Sequence, residues 1–339
     1  MRKKILVTGG AGYIGSHTTI ELMAAGFDVI IADDLSNSNE KVVDRMEQIA
    51  GARPAFEKIN LADEAAVADL FDRHRHIDSI IHFAAYKAVG ESVAKPLLYY
   101  KNNLLTLILL LEQVKKHRIP GIIFSSSCTV YGQPDNLPVT EETVFKPAES
   151  PYGKTKQMGE AILRDSCLAD NDLHAIALRY FNPVGAHPSA LIGELPNGTP
   201  SNLVPFITQT AAGIRDQLHV FGDDYKTPDG SALRDYIHVV DLAKAHVAAL
   251  ARLLNGKQKS NYEYFNIGTG KSLSVFQLIK EFEKINTITL NYKVTGRRTG
   301  DIEQIYADTT LANIELGWKA ELGIDEMMRS AWSWQQKIR

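Results

Sequence analysis

Short runs of apolar residues recur along the first half of the chain, separated by longer stretches in which apolar positions return with helical spacing. The runs are rich in Val, Ile and Leu and are bounded by Gly, Pro or charged residues, as the buried strands of a parallel sheet are. They predict strands over residues 4–7, 27–32, 55–59, 79–83, 121–125 and 175–178.

The stretches between these runs carry the start and stop signals of helices. Pro96 and Pro151 stand where a first helical turn would begin, and Gly26 and Pro120 stand where helices would end. We predict helices over residues 16–25, 64–74, 96–117 and 151–169. The alternation of strands and helices indicates the α/β class, with a Rossmann-type doubly wound parallel sheet that binds ligands at the carboxyl ends of its strands.

The turn after the first strand has the composition of a dinucleotide-binding loop. Gly9, Gly12 and Gly15 lie between a predicted strand and a predicted helix, where glycine lets a pyrophosphate approach the helix N-terminus. Asp33 follows the second strand, at the place where such folds hold a ribose diol. Because Asp33 and Asp34 together would repel a 2′-phosphate, we expect NAD rather than NADP. The alternative is a glycine-rich turn that only packs a helix on a strand.

A second group of polar residues follows the fifth predicted strand. Ser127 comes just after that strand, and Tyr152 and Lys156 are one turn apart, on one face of the next predicted helix. A lysine ammonium one turn away, together with the positive nicotinamide ring, would stabilise a phenolate, so the tyrosine can act as a base near neutral pH. Lys156 can also hold the nicotinamide ribose, and Ser127 can donate a hydrogen bond to a reacting oxygen. We predict a catalytic site; the alternative is an exposed Tyr/Lys pair on a helix surface.

The composition and charge of the chain argue against several classes of protein. The chain has 339 residues, of which 45% are hydrophobic and 23% charged, with a formal net charge of −3. These values are typical of soluble globular proteins and provide no basic field for nucleic acid or an anionic membrane. The longest apolar run, residues 104–111, is far shorter than the roughly 20 residues that span a membrane. With two cysteines, no secretory leader and no convincing metal-ligand spacing, we expect a cytoplasmic enzyme without a metal.

The composition of the sequence changes after Asn182, since Pro and Gly become frequent over residues 183–205 and 222–230. We predict an NAD-binding domain over residues 1–182 and a smaller, loop-rich C-terminal substrate domain over residues 183–339. A predicted helix over 241–254 and a predicted strand over 262–267 lead us to expect that segments near 238–268 return to the first domain.

Several segments together resemble the UDP-glucose 4-epimerase (UDP-galactose 4-epimerase) family, in the extended branch of the short-chain dehydrogenase/reductase superfamily. They include VTGGAGYIGSH from Val7, HFAAYKAVGES from His82, FSSSCTVYG from Phe124, SPYGKTK from Ser150, RYFNPVGAHPS from Arg179, DGSALRDYIHVVDLA from Asp229 and RRTGD from Arg297. The resemblance implies reversible, NAD-dependent epimerisation at carbon 4 of UDP-glucose and UDP-galactose through a 4-keto intermediate, in galactose metabolism.

The resemblance also implies roles for individual positions. For the cofactor it adds, to the residues named above, Tyr13, Ile14, Asn37, Ser38, Asn60, Leu61, Phe83, Ala84, Ala85, Lys87, Asn102, Tyr180 and Phe181. For the UDP-hexose it implies, besides Ser127 and Tyr152, the residues Asn182, Asn202, His219, Val220, Phe221, Arg234, Arg298, Asp301 and Ile305. Asn60 departs from the aspartate that the family usually has there.

One of these positions bears on which sugars fit. Ile305 stands four residues after Asp301, where the resembled family lines the sugar pocket opposite carbon 2. Isoleucine is smaller than the tyrosine common there, so we expect lesser but detectable turnover of UDP-N-acetylglucosamine and UDP-N-acetylgalactosamine. A register shift of one residue would place Tyr306 in the pocket instead.

Two other functions compete with epimerisation. A sugar-nucleotide 4,6-dehydratase of the same superfamily would need an Asp-Glu pair where Cys128 and Thr129 stand. A non-catalytic, NAD-sensing regulator would have no need of Ser127, Tyr152 and Lys156 together. Both are therefore less favoured by the residues present.

The predicted helix from Pro96 bears on the oligomeric state. Its leucines face more than one side, which is wider than packing on a single sheet requires. In the resembled family this helix and the one bearing Tyr152 form a four-helix bundle across a two-fold axis, so we expect a homodimer. A fully buried core helix is the alternative.

Overall fold

The strands of the protein follow the alternation that the sequence predicts. The computed structural model describes residues 2–298 and 300–338, so Thr299 of the RRTGD segment and the two end residues of the predicted domains lie outside it. The strands are β1 Lys4–Thr8, β2 Asp28–Asp33, β3 Ala55–Lys58, β4 Ser79–His82, β5 Gly121–Ser125, β6 His174–Tyr180, β7 Asn182–Val184, β8 Leu218–Phe221, β9 Leu233–His238, β10 Tyr262–Ile267, β11 Ser272–Ser274, β12 Tyr292–Thr295 and β13 Gln304–Ile305.

Helices connect and cover these strands. They are α1 Tyr13–Ala24, α2 Lys41–Ala50, α3 Glu64–Arg73, α4 Val89–Ala94, α5 Pro96–His117, α6 Pro151–Ala169, α7 Leu203–Ala211, α8 Val239–Leu254, α9 Val275–Asn286, α10 Thr310–Glu315 and α11 Ile324–Lys337. A short 3₁₀ helix, Cys128–Tyr131, follows β5. Among the described residues no helix is both long and apolar enough to cross a membrane.

The larger sheet has seven strands in the order β3-β2-β1-β4-β5-β6-β10, and each neighbouring pair is parallel. The order reverses between β1 and β4, which is the crevice where doubly wound sheets bind ligands. The predicted α/β fold with a Rossmann-type sheet is confirmed.

Successive side chains of each strand enter opposite cores. Ile5 and Val7 pack with α1, α2 and α8 on one face of the sheet. Leu6 packs with α3, α5 and α6 on the other face. Both faces are thus covered, which accounts for the continuous apolar runs in the strands.

The chain after β6 builds two smaller sheets and returns once to the large one. β7, β9, β11 and β13 form a four-stranded sheet, and β8 pairs with β12. A separate core surrounds Ile207, Phe282 and Met328 of α7, α9 and α11. β10 joins the large sheet beside β6, and α8 packs against α1. The domain limits at residue 182 stay a prediction.

Candidate active site

A cavity of about 630 Å³ opens at the carboxyl ends of the central strands. Its walls come from the turn after β1, the end of β2, the segment after β4, helices α5 and α6, and the loop that contains residues 193–201. The cavity lies where the strand order reverses between β1 and β4. The connections that leave these two strands run to opposite sides and leave a crevice between them.

The turn before α1 requires its glycines because it packs closely against the protein's own backbone. Gly9 has a φ of +68°, and a Cβ at Gly15 would lie 2.3 Å from the Gly9 carbonyl oxygen. Gly12 caps α1 without any side-chain hydrogen bond, so the first N–H groups of the helix face the cavity without a capping side chain. A helix N-terminus of this kind holds a pyrophosphate, and the residues present therefore fit NAD.

Asp33 lies at the end of β2 and is buried. Its Oδ2 accepts from the Ala11 backbone N–H at 3.0 Å, and its Oδ1 accepts from the Leu35 N–H and the Ser38 hydroxyl, both at 2.9 Å. Burial raises the pKa of Asp33, and these hydrogen bonds oppose the rise. The carboxylate is thus fixed in orientation at the cavity wall. Asp34 is exposed and accepts from the Ser36 N–H at 2.9 Å.

Tyr152 and Lys156 are buried side by side near the start of α6. Pro151 occupies the first turn of this helix, and the Ser150 hydroxyl caps it by accepting from the Gly153 N–H at 3.2 Å. The Lys156 Nζ lies 5.9 Å from the centre of the Tyr152 ring and donates to the Ser125 carbonyl oxygen at 2.5 Å. The helix therefore joins the end of β5 to the site.

Burial alone acts against the charged forms of both side chains. It raises the pKa of Tyr152 well above its usual value, and the nearby Ser127 hydroxyl partly opposes this rise. Burial likewise lowers the pKa of Lys156 to about 8. A phenolate at neutral pH consequently needs Lys156 to stay protonated and a further positive charge close by.

The cavity gathers most of the residues predicted for the cofactor. All of them line it except Ser127 and Phe181. Ser127 is buried beside Tyr152, where its Oγ accepts from the Thr129 N–H at 3.2 Å. Phe181 is buried in a small core with Cys128, and its side chain does not reach the cavity wall. Phe181 directly follows β6, whose last residue Tyr180 lines the cavity, so these two successive side chains enter different surroundings.

None of the residues implied only for the UDP-hexose lines this cavity. Most lie on the strands of the smaller sheets or in the segment before β13, and Asn202 immediately precedes α7. Arg298 forms an ion pair with Asp301 at 2.7 Å, and its guanidinium lies 5.6 Å from the centre of the Phe221 ring. Arg234 pairs in register with Ile305 between β9 and β13. Asn182 begins β7, which pairs with β9. Asn182, Arg234 and Ile305 thus lie on neighbouring strands of one sheet.

Two of these side chains are in hydrophobic cores. Val220 and Ile305 are each 1% exposed, whereas His219 and Phe221 of β8 are exposed. Alternation along β8 buries Val220 with its neighbours from α7 and α9. Tyr306, next to Ile305, is half-buried. The roles of Val220 and Ile305 stay predictions.

Glu194 lines the cavity but was not predicted from the sequence. Its Oε1 accepts from Lys87 Nζ at 3.0 Å and from Asn202 Nδ2 at 2.6 Å. The carboxylate thereby links a residue predicted for the cofactor to one predicted for the sugar nucleotide. No motif marks it, because its partner Lys87 lies 107 positions away. Within residues 2–298 and 300–338 no cluster of metal-ligating side chains is found.

Comparison with known proteins agrees with this geometry. The model of the NAD dependent epimerase/dehydratase family matches residues 5–268. A UDP-glucose 4-epimerase of Cyamopsis tetragonoloba is 50% identical, with 98% of this chain and 95% of that protein covered. One of Bacillus subtilis (strain 168) is 49% identical, with 98% and 96% covered.

A solved structure extends the likeness to three dimensions. UDP-glucose 4-epimerase from Bifidobacterium longum, in complex with NAD⁺ and UDP, superposes with a TM-score of 0.95 at 49% identity, covering 99% of this chain and 98% of that one. The resemblance and the NAD cofactor predicted from the sequence are confirmed. The chain belongs to the NAD-dependent epimerase/dehydratase family, among its UDP-glucose 4-epimerases.

Proposed function

We propose that this enzyme interconverts UDP-glucose and UDP-galactose by inverting carbon 4 of the sugar. The observation that carries the proposal is the buried Tyr152–Lys156 pair on the wall of a cavity that also contains the glycine turn and Asp33. A base beside a dinucleotide site is what removal of a proton and a hydride from one carbinol requires.

Tyr152 takes the proton from the 4-hydroxyl group. Because burial raises its pKa, bringing that pKa to about 7 from even the ordinary value near 10 requires roughly 4 kcal/mol of differential stabilisation. Lys156, one turn away, supplies one positive charge. NAD held at the glycine turn and Asp33 would supply the second positive charge and an acceptor for the hydride. Ser127, which lies beside Tyr152, donates a hydrogen bond to the reacting oxygen.

The UDP group anchors the substrate while the 4-keto sugar turns over to present its other face to the hydride. Arg234 and Arg298 each present a guanidinium that can bind two phosphate oxygens, and Asp301 can accept from the uridine ribose. Arg298 is held by Asp301 through an exposed ion pair, which is weak enough to reorganise around a diphosphate. Exposed Phe221 offers a ring against which uracil can stack.

A homodimer fits the surface of α5 and α6, which pack against each other. Leu97 on α5 is 81% exposed and Leu168 on α6 is 77% exposed, and Ile108 and Met158 are also exposed. Apolar residues on two adjacent helices are suited to a second copy of the same face. A sedimentation mass of one chain at micromolar concentration would contradict the dimer. From its composition we place the enzyme in the cytoplasm, and from the resemblance we place it in galactose metabolism.

Incubation with UDP-galactose followed by chromatography of the nucleotide sugars tests the reaction. Epimerisation yields UDP-glucose, and a dehydratase yields a dehydrated keto-sugar instead. A non-catalytic NAD-binding protein leaves UDP-galactose unchanged. The proposal requires the first outcome, with no NADH released.

A further inference from the structure

A buried ion pair lies behind the proposed catalytic lysine. Glu160 on α6 and Arg179 on β6 are each 4% exposed, and Arg179 Nη2 donates to Glu160 Oε2 at 2.7 Å while Nε donates to Oε1 at 3.0 Å. Burying two charges carries a desolvation cost that their attraction does not always offset. Stability alone therefore does not explain a buried ion pair next to Lys156.

The ion pair is connected to the end of β5. Glu160 follows Lys156 by one turn on α6, so both side chains leave the same face of the helix. Lys156 donates to the Ser125 carbonyl oxygen at 2.5 Å, and Ser126 Oγ donates to Glu160 Oε1 at 2.5 Å. Two successive residues of the strand end are thus held by two successive turns of the helix. Ser127 is the next residue along.

Arg179 is itself held from several directions. Its Nη1 donates to the Tyr131 hydroxyl at 3.0 Å, and its guanidinium lies 4.1 Å from the centre of the Tyr264 ring. Tyr262 donates to Glu160 Oε2 at 3.0 Å from the neighbouring strand. With most donors and acceptors used, the network has one arrangement and is rigid.

We propose that Glu160, held by Arg179, is a positioning residue that fixes the end of β5 against α6 and keeps Lys156 in its charged form. Glu160 touches neither substrate nor cofactor and acts through Lys156 and Ser126. The proposal rests on the roles proposed above for Tyr152 and Lys156. Nothing in the assigned chemistry of the site uses Glu160 or Arg179.

The charges around Lys156 indicate the direction of the effect. Burial lowers its pKa to about 8, and the carboxylate of Glu160 opposes that lowering. Other titratable groups facing the Lys156–Tyr152 pair are His82 on β4, Tyr99 on α5, Cys128 in the 3₁₀ helix and Tyr180 on β6. Of the two members of the ion pair, it is the Glu160 carboxylate that acts on the pKa of Lys156. Without it, Lys156 should lose its proton at a lower pH.

The test replaces the pair with groups of similar size, Glu160→Gln with Arg179→Met, so that no buried charge is left unpaired. Turnover of UDP-galactose is measured from pH 7 to pH 9.5. We expect the alkaline limb of kcat to move down by about one pH unit, so that the loss relative to the wild type grows with pH, with KM changed less than about twofold. Ser126→Ala, which keeps both charges, should lower kcat several-fold at unchanged KM.

A second buried pair provides the matched control. Arg252 on α8 and Glu263 near the start of β10 are joined at 2.7 Å and are also buried, at the far end of the strands. Glu263→Gln with Arg252→Met should lower the melting temperature comparably but leave the pH profile of kcat unshifted. A purely structural role for Glu160 predicts the same unshifted profile in both double variants.

The outcomes separate this proposal from the one on which it rests. An unshifted profile in Glu160→Gln/Arg179→Met overturns the positioning role. If that variant does not fold, wild-type kcat in Ser126→Ala overturns it. If Tyr152→Phe is inactive, the assignment of Tyr152 as the base stands whichever of these results is found. An active Tyr152→Phe overturns the base and the positioning role together.

Discussion

The ammonium of Lys156 lies 5.9 Å from the centre of the Tyr152 ring, one turn along the same helix, and both side chains are buried. This arrangement places a cation where a phenolate would form, in surroundings that weaken electrostatic interactions far less than water does. The same burial lowers the pKa of Lys156 to about 8, so the cation is maintained at a cost in stability.

Lys156→Met should remove activity and should not lower stability. A lysine whose pKa falls from 10.5 to about 8 on folding binds its proton more weakly in the folded state. Keeping it charged at pH 7 therefore costs about 3 kcal/mol. The variant should lose most turnover, reduce bound NAD poorly with substrate and melt at or above the wild-type temperature.

The pH dependence of unfolding checks the sign of this effect. Between pH 8 and pH 10.5 the unfolded wild type binds more protons than the folded protein, so its free energy of unfolding should rise with pH. That contribution is fully present above the unfolded pKa and is lost as the pH falls through about 8. In Lys156→Met this part of the rise should disappear. An identical rise in both proteins would contradict the assigned pKa.

Asp33→Ala should weaken NAD binding and reduce discrimination against NADP. The substitution removes the ribose acceptor and a charge that repels a 2′-phosphate, and it also frees the Ala11 and Leu35 N–H groups. Asp34→Ala is the matched control, since its carboxylate is exposed and should change both affinities less. Calorimetric titration of cofactor-free protein measures both. Unchanged affinity for NAD and NADP in Asp33→Ala would place this carboxylate outside the site.

Ile305→Tyr should remove turnover of the N-acetylated sugars and Ile305→Gly should raise it, relative to UDP-galactose. Ile305 is 1% exposed, so the tyrosine will also strain its core, at a cost of typically 1–3 kcal/mol. The ratio of the two activities is therefore the measurement, because a general loss of stability leaves it unchanged. Tyr306→Ala is the control for register. If Tyr306→Ala alone changes the ratio, residue 306 rather than residue 305 limits which sugars fit.

Elements with strong boundary signals were predictable from the sequence. Helices α5 and α6 begin at Pro96 and Pro151 as expected, and β5 and β10 have the predicted limits. Helix α2 was not predicted. It begins after Glu40, whose side chain makes no capping hydrogen bond, and only its buried Val43 and Met46 mark its inner face. Helix α1 starts three residues earlier than predicted, because the last glycine of the turn is already helical.

The residues of the site likewise fall into those that the sequence predicted and those that it did not. Motif residues such as Gly9, Asp33 and Tyr152 were found because their neighbours along the chain define their setting. Glu194 and Arg179 were not found, since each takes its role from residues that only the fold brings near. The burial of Phe181 depends likewise on the small core that the 3₁₀ helix and β13 form around it, which spacing along the chain does not reveal.

The most direct test of the account is turnover and bound NAD in Tyr152→Phe. This substitution removes only the phenolic oxygen, so the chain should fold and keep NAD at the wild-type ratio. Because general acid–base groups typically contribute roughly 10²–10⁴-fold, we predict that kcat for UDP-galactose falls within that range or further. Near-normal kcat in a Tyr152→Phe protein with full NAD content would contradict the assignment of Tyr152 as the base.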